Sequence, residues 1–376
     1  MSMVEWKKLG DFIDYEQPTP YLVESTDYDD SYSIPVLTAG QSLLLGYTNE
    51  TDGVYRASKH NPTIIFDDFT TSFHWIDFDF KIKSSAMKML RPKIGVNFRY
   101  IYYTMLQINF VPTQHQRHWI SKYSQFQVPI PSLSEQTRIV GILDTFTASI
   151  ANLKEQIKER RKQYEHYRDQ LLDLEGKEGV EMKALGDLGV FYGGLSGKTK
   201  DDFQDGNAKF ITYTNIYSNP SLNLRCDDKV RIEAGEKQNT VQYGDVLFTG
   251  SSETPEECGM SSVVTEIIDE PIYLNSFCFG FRLNNKELFN PNFLKHYLRC
   301  NFMRTAIATT ASGVTRYNVS KKRLGRIQIL IPSLSEQSRI VNILDQFEAS
   351  IANLEAQLQE REKQYEYYRN QLLTFE

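Results

Sequence analysis

The residues that could do chemistry are few and scattered. Gly197-Lys198-Thr199 has the end of a phosphate-binding loop, but that pattern needs a Gly five residues earlier, where Tyr192 stands. Asp67 with Asp79 and Lys81 resembles a nuclease set of two acids and a lysine, which would hold Mg²⁺. Asp79 and Lys81 alternate with Phe78 and Phe80, however, as in an ordinary half-exposed strand. An amino-methyltransferase needs Asn/Asp-Pro-Pro-aromatic, and none of Asn61-Pro62, Asn219-Pro220 and Asn290-Pro291 continues with a second Pro. His115 and His118 are too few for a metal site. Cys226, Cys258, Cys278 and Cys300 contain no Cys-x-x-Cys pair and read as reduced thiols of a cytoplasmic protein. No nucleophile, base and orienting group form a set. The sequence predicts no catalysis, no metal and no cofactor in this chain.

The charge pattern points to nucleic acid instead. The 376 residues carry a net charge of −6, which taken whole argues against a DNA binder. The distribution reverses that. Residues 80–134 hold eight bases and no acid: Lys81, Lys83, Lys88, Arg91, Lys93, Arg99, Arg117 and Lys122. Residues 288–335 again hold eight and none: Lys295, Arg299, Arg304, Arg316, Lys321, Lys322, Arg323 and Arg326. Two such tracts at matching places suit two phosphate-facing surfaces; the plainer reading is that they balance acids inside each domain, since residues 1–79 have fourteen acids against four bases. Polar loops nearby supply side chains able to match base edges. The candidates for DNA contact are Lys59, His60, Asn61, Thr71, Ser72, Arg91, Arg117 and Lys122 in the first half. In the second they are Ser196, Lys198, Thr199, Lys200, Ser251, Arg316, Tyr317, Asn318, Lys321, Lys322 and Arg323.

The elements that must position these residues come from a duplication. Ile130–Glu175 and Ile331–Glu376 share 33 of 46 residues at an offset of 201. Fainter echoes lie upstream: Leu9-Gly10-Asp11 with Leu185-Gly186-Asp187, and Arg117…Ser121-Lys122 with Arg316…Ser320-Lys321. The second copy is longer by about 25 residues, which suggests an extra loop over Ser251–Asn275. Each repeated segment carries an apolar seam in heptad spacing: Ile139, Leu143, Phe146, Ile150, Leu153, Ile157, and Ile340, Leu344, Phe347, Ile351, Leu354, Leu358, continuing through Tyr164, Tyr167, Tyr365 and Tyr368. Ser132 with Glu135, and Ser333 with Glu336, fit a capping box. About 40 residues give a helix of roughly 60 Å. One apolar stripe of that length needs a partner, and its twin, antiparallel, fits. Arg160 and Arg361 interrupt the seam, either snorkelling to solvent or forming a polar layer that fixes register. Strands are expected at Tyr32–Thr38, Thr63–Phe66, Phe210–Ile216, Asp245–Phe248 and Ile327–Ile331, and helices at Tyr100–Ile108 and Pro291–Arg299.

The predicted fold class is α+β: two variable domains of mixed α/β structure, 1–129 and 178–330, joined to two long helical segments, 130–177 and 331–376, as an antiparallel, pseudo-two-fold coiled coil. No run of about 18 apolar residues is present for a membrane helix, and Met1–Leu9 lacks the apolar core of a signal peptide.

The doubled Ile-Pro-Ser-Leu-Ser-Glu-Gln-x-Arg-Ile-Val-x-Ile-Leu-Asp, at Ile130–Asp144 and Ile331–Asp345, each preceding a coiled-coil helix, resembles the specificity subunit of type I restriction-modification systems across essentially the whole chain. The resemblance implies that each variable domain reads one half of a bipartite, asymmetric double-stranded DNA site. The helices would set the spacer and dock two copies of a methyltransferase subunit. S-adenosylmethionine would sit on those partners, with ATP and Mg²⁺ where restriction subunits join. The alternative is a coiled-coil scaffold whose end domains bind protein, which would show no salt-dependent DNA binding.

Overall fold

A computed structural model describes residues 4–38, 40, 42–112 and 116–375; His115 lies outside them. The chain divides into two compact units. The first comprises residues 1–154 and 356–376, and the second residues 155–355. Each unit combines one α+β domain with part of each long helix.

In the first unit the strands are β1 (Glu5–Lys8), β2 (Ile13–Glu16), β3 (Ile34–Leu37), β4 (Leu44–Thr48), β5 (Thr63–Asp67), β6 (Phe73–Ile76), β7 (Lys81–Ile82), β8 (Met87–Pro92) and β9 (Gln127–Ile130). Helix α1 is Phe98–Met105 and the first long helix, α2, is Leu133–Leu172. The sheets run β2-β8-β5-β6, β4-β3-β7 and β1-β9. Strand period dictates two cores. On β5, Ile64 and Phe66 join a cluster with α1, Trp119 and the α2 residues Ile139 and Leu143. Ile65 points the other way, toward Tyr55, Phe80 and Met89.

The second unit repeats this plan. It contains β10 (Glu181–Ala184), α3 (Leu185–Leu188), β11 (Gly189–Gly193), β12 (Ala208–Ile211), α4 (Tyr213–Ser218), β13 (Lys229–Val230), β14 (Val246–Thr249), β15 (Ser251–Ser252), β16 (Ser261–Val263), β17 (Tyr273–Leu274) and β18 (Cys278–Leu283). It continues with α5 (Pro291–Tyr297), α6 (Asn301–Ala308), β19 (Ala311–Ser312), β20 (Tyr317–Val319), α7 (Lys321–Leu324), β21 (Gln328–Ile331) and the second long helix, α8 (Leu334–Leu373). The sheets β11-β18-β14-β16, β13-β12-β17 and β10-β21 match those of the first unit in order, and β15-β20-β19 is added. Val246 and Phe248 face one core while Leu247 faces another. The repeated Leu-Gly-Asp has a local cause. Leu9 and Leu185 are buried, and a Cβ on Gly10 or Gly186 would lie 3.1 Å from the backbone of Ser124 or Gly325.

The two 40-residue helices pair antiparallel within each unit. In the first, Phe146 stacks on Tyr368 with centroids 5.3 Å apart, and Lys154 pairs with Glu362 at 2.9 Å. In the second, Phe347 stacks on Tyr167 at 5.4 Å, and Arg161 pairs with Glu355. The seam arginines take a third course beside the two expected. Arg361 lies over the Phe146 ring at 5.6 Å and Arg160 over Phe347 at 5.9 Å, so each phenylalanine is flanked by a tyrosine and a guanidinium. Ile139, Leu143, Ile340 and Leu344 are fully buried, whereas Ile150, Leu153, Ile351, Leu354 and Leu358 are half-buried and Ile157 is 8% exposed. The buried positions serve the domain cores rather than the helix seam alone.

Three expectations change in detail. Ser132 and Ser333 accept from the amides of Glu135 and Glu336, but the glutamates fork with Arg138 and Arg339 instead of returning to the caps. The expected strand Phe210–Ile216 ends at Ile211, because the Thr212 hydroxyl accepts from the Asn215 amide and starts α4. Ser251–Asn275 is not one loop: β15, β16 and β17 lie within it, each paired into a sheet.

Candidate nucleic-acid interface

Each domain is seated on its long helix by the same pair of repeated residues. Gln136 is buried; its Oε1 accepts from the Asn97 amide at 2.9 Å and its Nε2 donates to the Pro131 carbonyl at 2.8 Å. Asn97 is the cap of α1. In the second copy Gln337 accepts from the amide of Asn290, the cap of α5, at 2.8 Å. It donates to Pro332 and Leu288 at 2.9 and 3.1 Å. Two turns on, Asp144 accepts from Arg99 and Tyr103 of α1, and Asp345 accepts from Lys295 and His296 of α5. The repeated Gln and Asp therefore grip the N-terminus and middle of one domain helix in each copy.

Around Asp345 the grip becomes an ionic cluster. His296, Asp345 and Glu348 bring ligand atoms within 4.8 Å of one another, a spacing that suits a metal. Lys295 already supplies a cation there, 2.9 Å from Asp345 and 2.8 Å from Glu348. Burial alone would pull Lys295 down, but Glu348 and Asp345 outweigh it and raise its pKa. Burial pushes Asp345 up, and His296 and Lys295 more than reverse that, leaving it below the ordinary carboxylate value. The cluster is a structural joint.

Internal partners absorb most of the first basic tract. Lys81 pairs with Glu50, Lys88 with Asp68, Arg91 with Glu16, Lys93 with Asp14 and Arg99 with Asp144. The partners are mostly the acids of residues 1–79. Lys83, Arg117 and Lys122 remain exposed, with no ion pair among the described residues. The nuclease-like trio is dispersed in the same way. Asp67 caps its own turn at Phe69 and Thr70, Asp79 holds Arg56 and the Ala57 amide, and Lys81 belongs to Glu50. Ser58 and Asn61 close a turn with reciprocal backbone bonds of 3.1 and 3.0 Å, which displays Lys59 and His60. Thr71 is buried at the β5–β6 turn with φ +59°, and Ser72 is half-buried.

The second tract divides similarly. Lys295 joins the cluster above. Arg299 donates to the carbonyls of Ser261, Ile216 and Tyr217, and Arg304 to those of Gly259, Glu256 and Cys258. Lys322, Arg323 and Arg326 stay exposed on or beside α7, which Ser320 caps; Lys321 is exposed too, its ammonium 5.0 Å from the Phe279 ring centroid. In the Ser196–Lys200 loop, Lys198 is turned inward to Glu236 at 2.6 Å. Thr199 closes a capping box with Asp202, and Ser196 and Lys200 are exposed. Ser251, Arg316, Tyr317 and Asn318 do come together. Ser251 pairs with Asn318 across β15 and β20, and the Arg316 Nε donates to the Ser251 Oγ at 3.1 Å.

Ser251 and Arg316, but not Tyr317 or Asn318, line a cleft of about 550 Å³ together with Tyr213, Tyr217, Glu253, Glu257 and Phe277. Tyr213, Tyr217 and Phe277 were not singled out in the sequence. Tyr213 and Tyr217 are four apart, a spacing that carries meaning only on a helix, and the strand expected over Phe210–Ile216 took in Tyr213 alone. The four cysteines are free and buried, and burial pushes the Cys278 and Cys300 thiols up to about 12.

The chain thus holds two domains of one topology, each on a copy of the same helix and each presenting its own exposed bases. Residues 1–160 and 177–363 match the type I restriction modification DNA specificity domain. The specificity subunit of the EcoR124I/EcoR124II type I restriction enzyme of Escherichia coli is 39% identical over 396 residues, covering 99% of this chain and 94% of that one. A putative type I specificity subunit of Haemophilus influenzae is 28% identical over 394 residues, covering 100% and 96%. The fold is shared with the type I S subunit from M. genitalium at TM-score 0.58 and 14% identity, over 100% and 98% of the two chains. A chain from a type I system solved for its complex assembly and conformational transition gives TM-score 0.57 at 17% identity, over 99% and 97%. The chain belongs to the family of type I restriction-modification specificity subunits, with two copies of the DNA specificity domain. Among the described residues no helix is long and apolar enough to cross a membrane.

Proposed function

We propose that each domain reads one half of a bipartite, asymmetric double-stranded DNA site and that the helix pair sets the spacer between the halves. The observation that carries this is the doubled seat. Gln136 with Asp144 and Gln337 with Asp345 hold two domains of the same topology, while the loops those domains present differ. A common seat fixes placement, and different loops give different half-sites. The outer faces of the helices dock two methyltransferase subunits, which bring S-adenosylmethionine and methylate adenine; restriction subunits add ATP- and Mg²⁺-dependent translocation and cleavage. The chain itself catalyses nothing and works in the cytoplasm, where its buried thiols stay reduced. Exposed Arg117, Lys122, Lys322 and Arg323 hold phosphates, which positions the duplex without choosing its sequence. Mapping adenine methylation in cells that carry the methyltransferase, with and without this chain, tests the reading. A two-part motif that depends on the chain is expected, and an active methyltransferase with no chain-dependent motif overturns it.

A further inference from the structure

The cleft in the second domain is braced by several contacts and carries both signs of charge. One wall is the stacked pair Tyr213 and Tyr217, with centroids 6.1 Å apart and planes at 17°. The Tyr213 hydroxyl is tied to the Ser251 carbonyl at 2.9 Å. The Tyr217 hydroxyl donates to Glu257 at 2.8 Å, which occupies one oxygen of that carboxylate. Half-buried Arg304 pins the segment beyond Glu253 through the carbonyls of Glu256, Cys258 and Gly259. Two charged lining groups keep terminal atoms that are wholly unpartnered among the described residues. Glu253 is exposed and has no partner. Arg316 is held by its Nε on Ser251 and by its guanidinium 5.6 Å from the Phe277 ring centroid, which leaves both terminal nitrogens free.

This arrangement is unsuited to phosphate. Two carboxylates in the cleft would repel it, and phosphate-facing bases stand elsewhere, on and beside α7. A carboxylate that can only accept needs a donor, and a fixed guanidinium with two parallel donors needs two adjacent acceptors. In the major groove a G·C pair offers both: guanine O6 and N7 on one side and the cytosine N4 amino group on the other. We propose that the second domain reads a G·C pair in this cleft, with Arg316 donating from its terminal nitrogens to guanine O6 and N7 and Glu253 accepting from cytosine N4. Arg316 and Glu253 are thus specificity-determining residues of that half-site. The proposal rests on the DNA-reading function above and adds which residues choose which base pair.

The test uses the complex assembled from the full chain and its methyltransferase, with wild type, Arg316→Ala, Arg316→Lys and Glu253→Gln. Methylation motifs are mapped, and binding is measured to oligonucleotides in which each base pair of the site is replaced in turn. In wild type, one half-site contains a G·C pair whose replacement weakens binding roughly 5- to 150-fold. Arg316→Ala and Arg316→Lys remove most of that discrimination at this position, and Glu253→Gln reduces it there. The other half-site and the spacer are unchanged. Oligonucleotide binding gives the same readout if a variant no longer supports methylation. Undiminished discrimination in Arg316→Lys and Glu253→Gln, or a second half-site without a G·C pair, overturns the proposal. A wild-type complex with no chain-dependent motif would instead overturn the function on which it rests.

Discussion

Replacing Gln337 by Ala probes how a recognition domain is fastened to its helix. Gln337 is fully buried and makes three hydrogen bonds, to the Asn290 amide and to the Pro332 and Leu288 carbonyls. A typical bond contributes about 1 kcal/mol, and leaving a buried partner unsatisfied costs about 1–3 kcal/mol. Water reaching the vacated space recovers part of this, so the expected loss is about 2–4 kcal/mol. Gln136→Ala removes two bonds and should cost about 1 kcal/mol less. Arg339→Ala, in the same repeated motif, breaks only an exposed pair with Glu336 and should cost at most about 1 kcal/mol. A chain of two units need not unfold in one step, so the loss is best read locally by hydrogen exchange. The amides of Phe293 and Leu294, bonded to the Asn290 carbonyl, report it. A loss of 2–4 kcal/mol should speed their exchange by roughly 30- to 1,000-fold. Exchange within threefold of wild type, or no difference between Gln337→Ala and Arg339→Ala, would refute the assignment of this glutamine as the fastener.

Other predictions follow from charge and length. Neutralising Lys322 and Arg323 together should weaken DNA binding alike for all sequences and flatten the plot of log affinity against log salt by about two; a sequence-dependent loss would show that they read bases. Glu236 is held at about 2 by Lys198, Gln238 and the Glu233 amide. Its folded value lies below its ordinary 4.5, so its contribution to stability is present above pH 4.5 and is lost as pH falls toward 2. Lys198→Met should raise the Glu236 titration midpoint seen by NMR, and an unmoved midpoint would contradict the pairing. Removing one heptad from both long helices should change or abolish the preferred DNA spacer; the same spacer at the same affinity would refute the ruler.

The long helices were legible because heptad spacing is local and repeated. Their register was not. The stacking of Arg361 on Phe146 and of Arg160 on Phe347 depends on which residues face across the pair. Which bases of the two tracts stay exposed was not legible, for a physical reason: counting charge along the chain cannot see partners brought in by folding. Lys81 finds Glu50 only once β4, β3 and β7 assemble, and Lys88 finds Asp68 and Arg91 finds Glu16 only after β5, β8 and β2 do. Gln136 and Gln337 were visible as part of a repeated motif, but their task is a bond to a backbone amide 39 or 47 residues away. The cleft was half legible. Ser251 and Arg316 were polar and near turns, while Tyr213, Tyr217 and Phe277 looked like ordinary core aromatics.

The central claim is that two separately seated domains read two separate half-sites. Its most direct test replaces residues 178–330 with the corresponding domain of a relative that has a different specificity, then maps the methylated motif of the assembled complex. One half of the motif should change to the donor's half, while the other half and the spacer stay as they were. A motif altered in both halves, or left unchanged, would contradict the account.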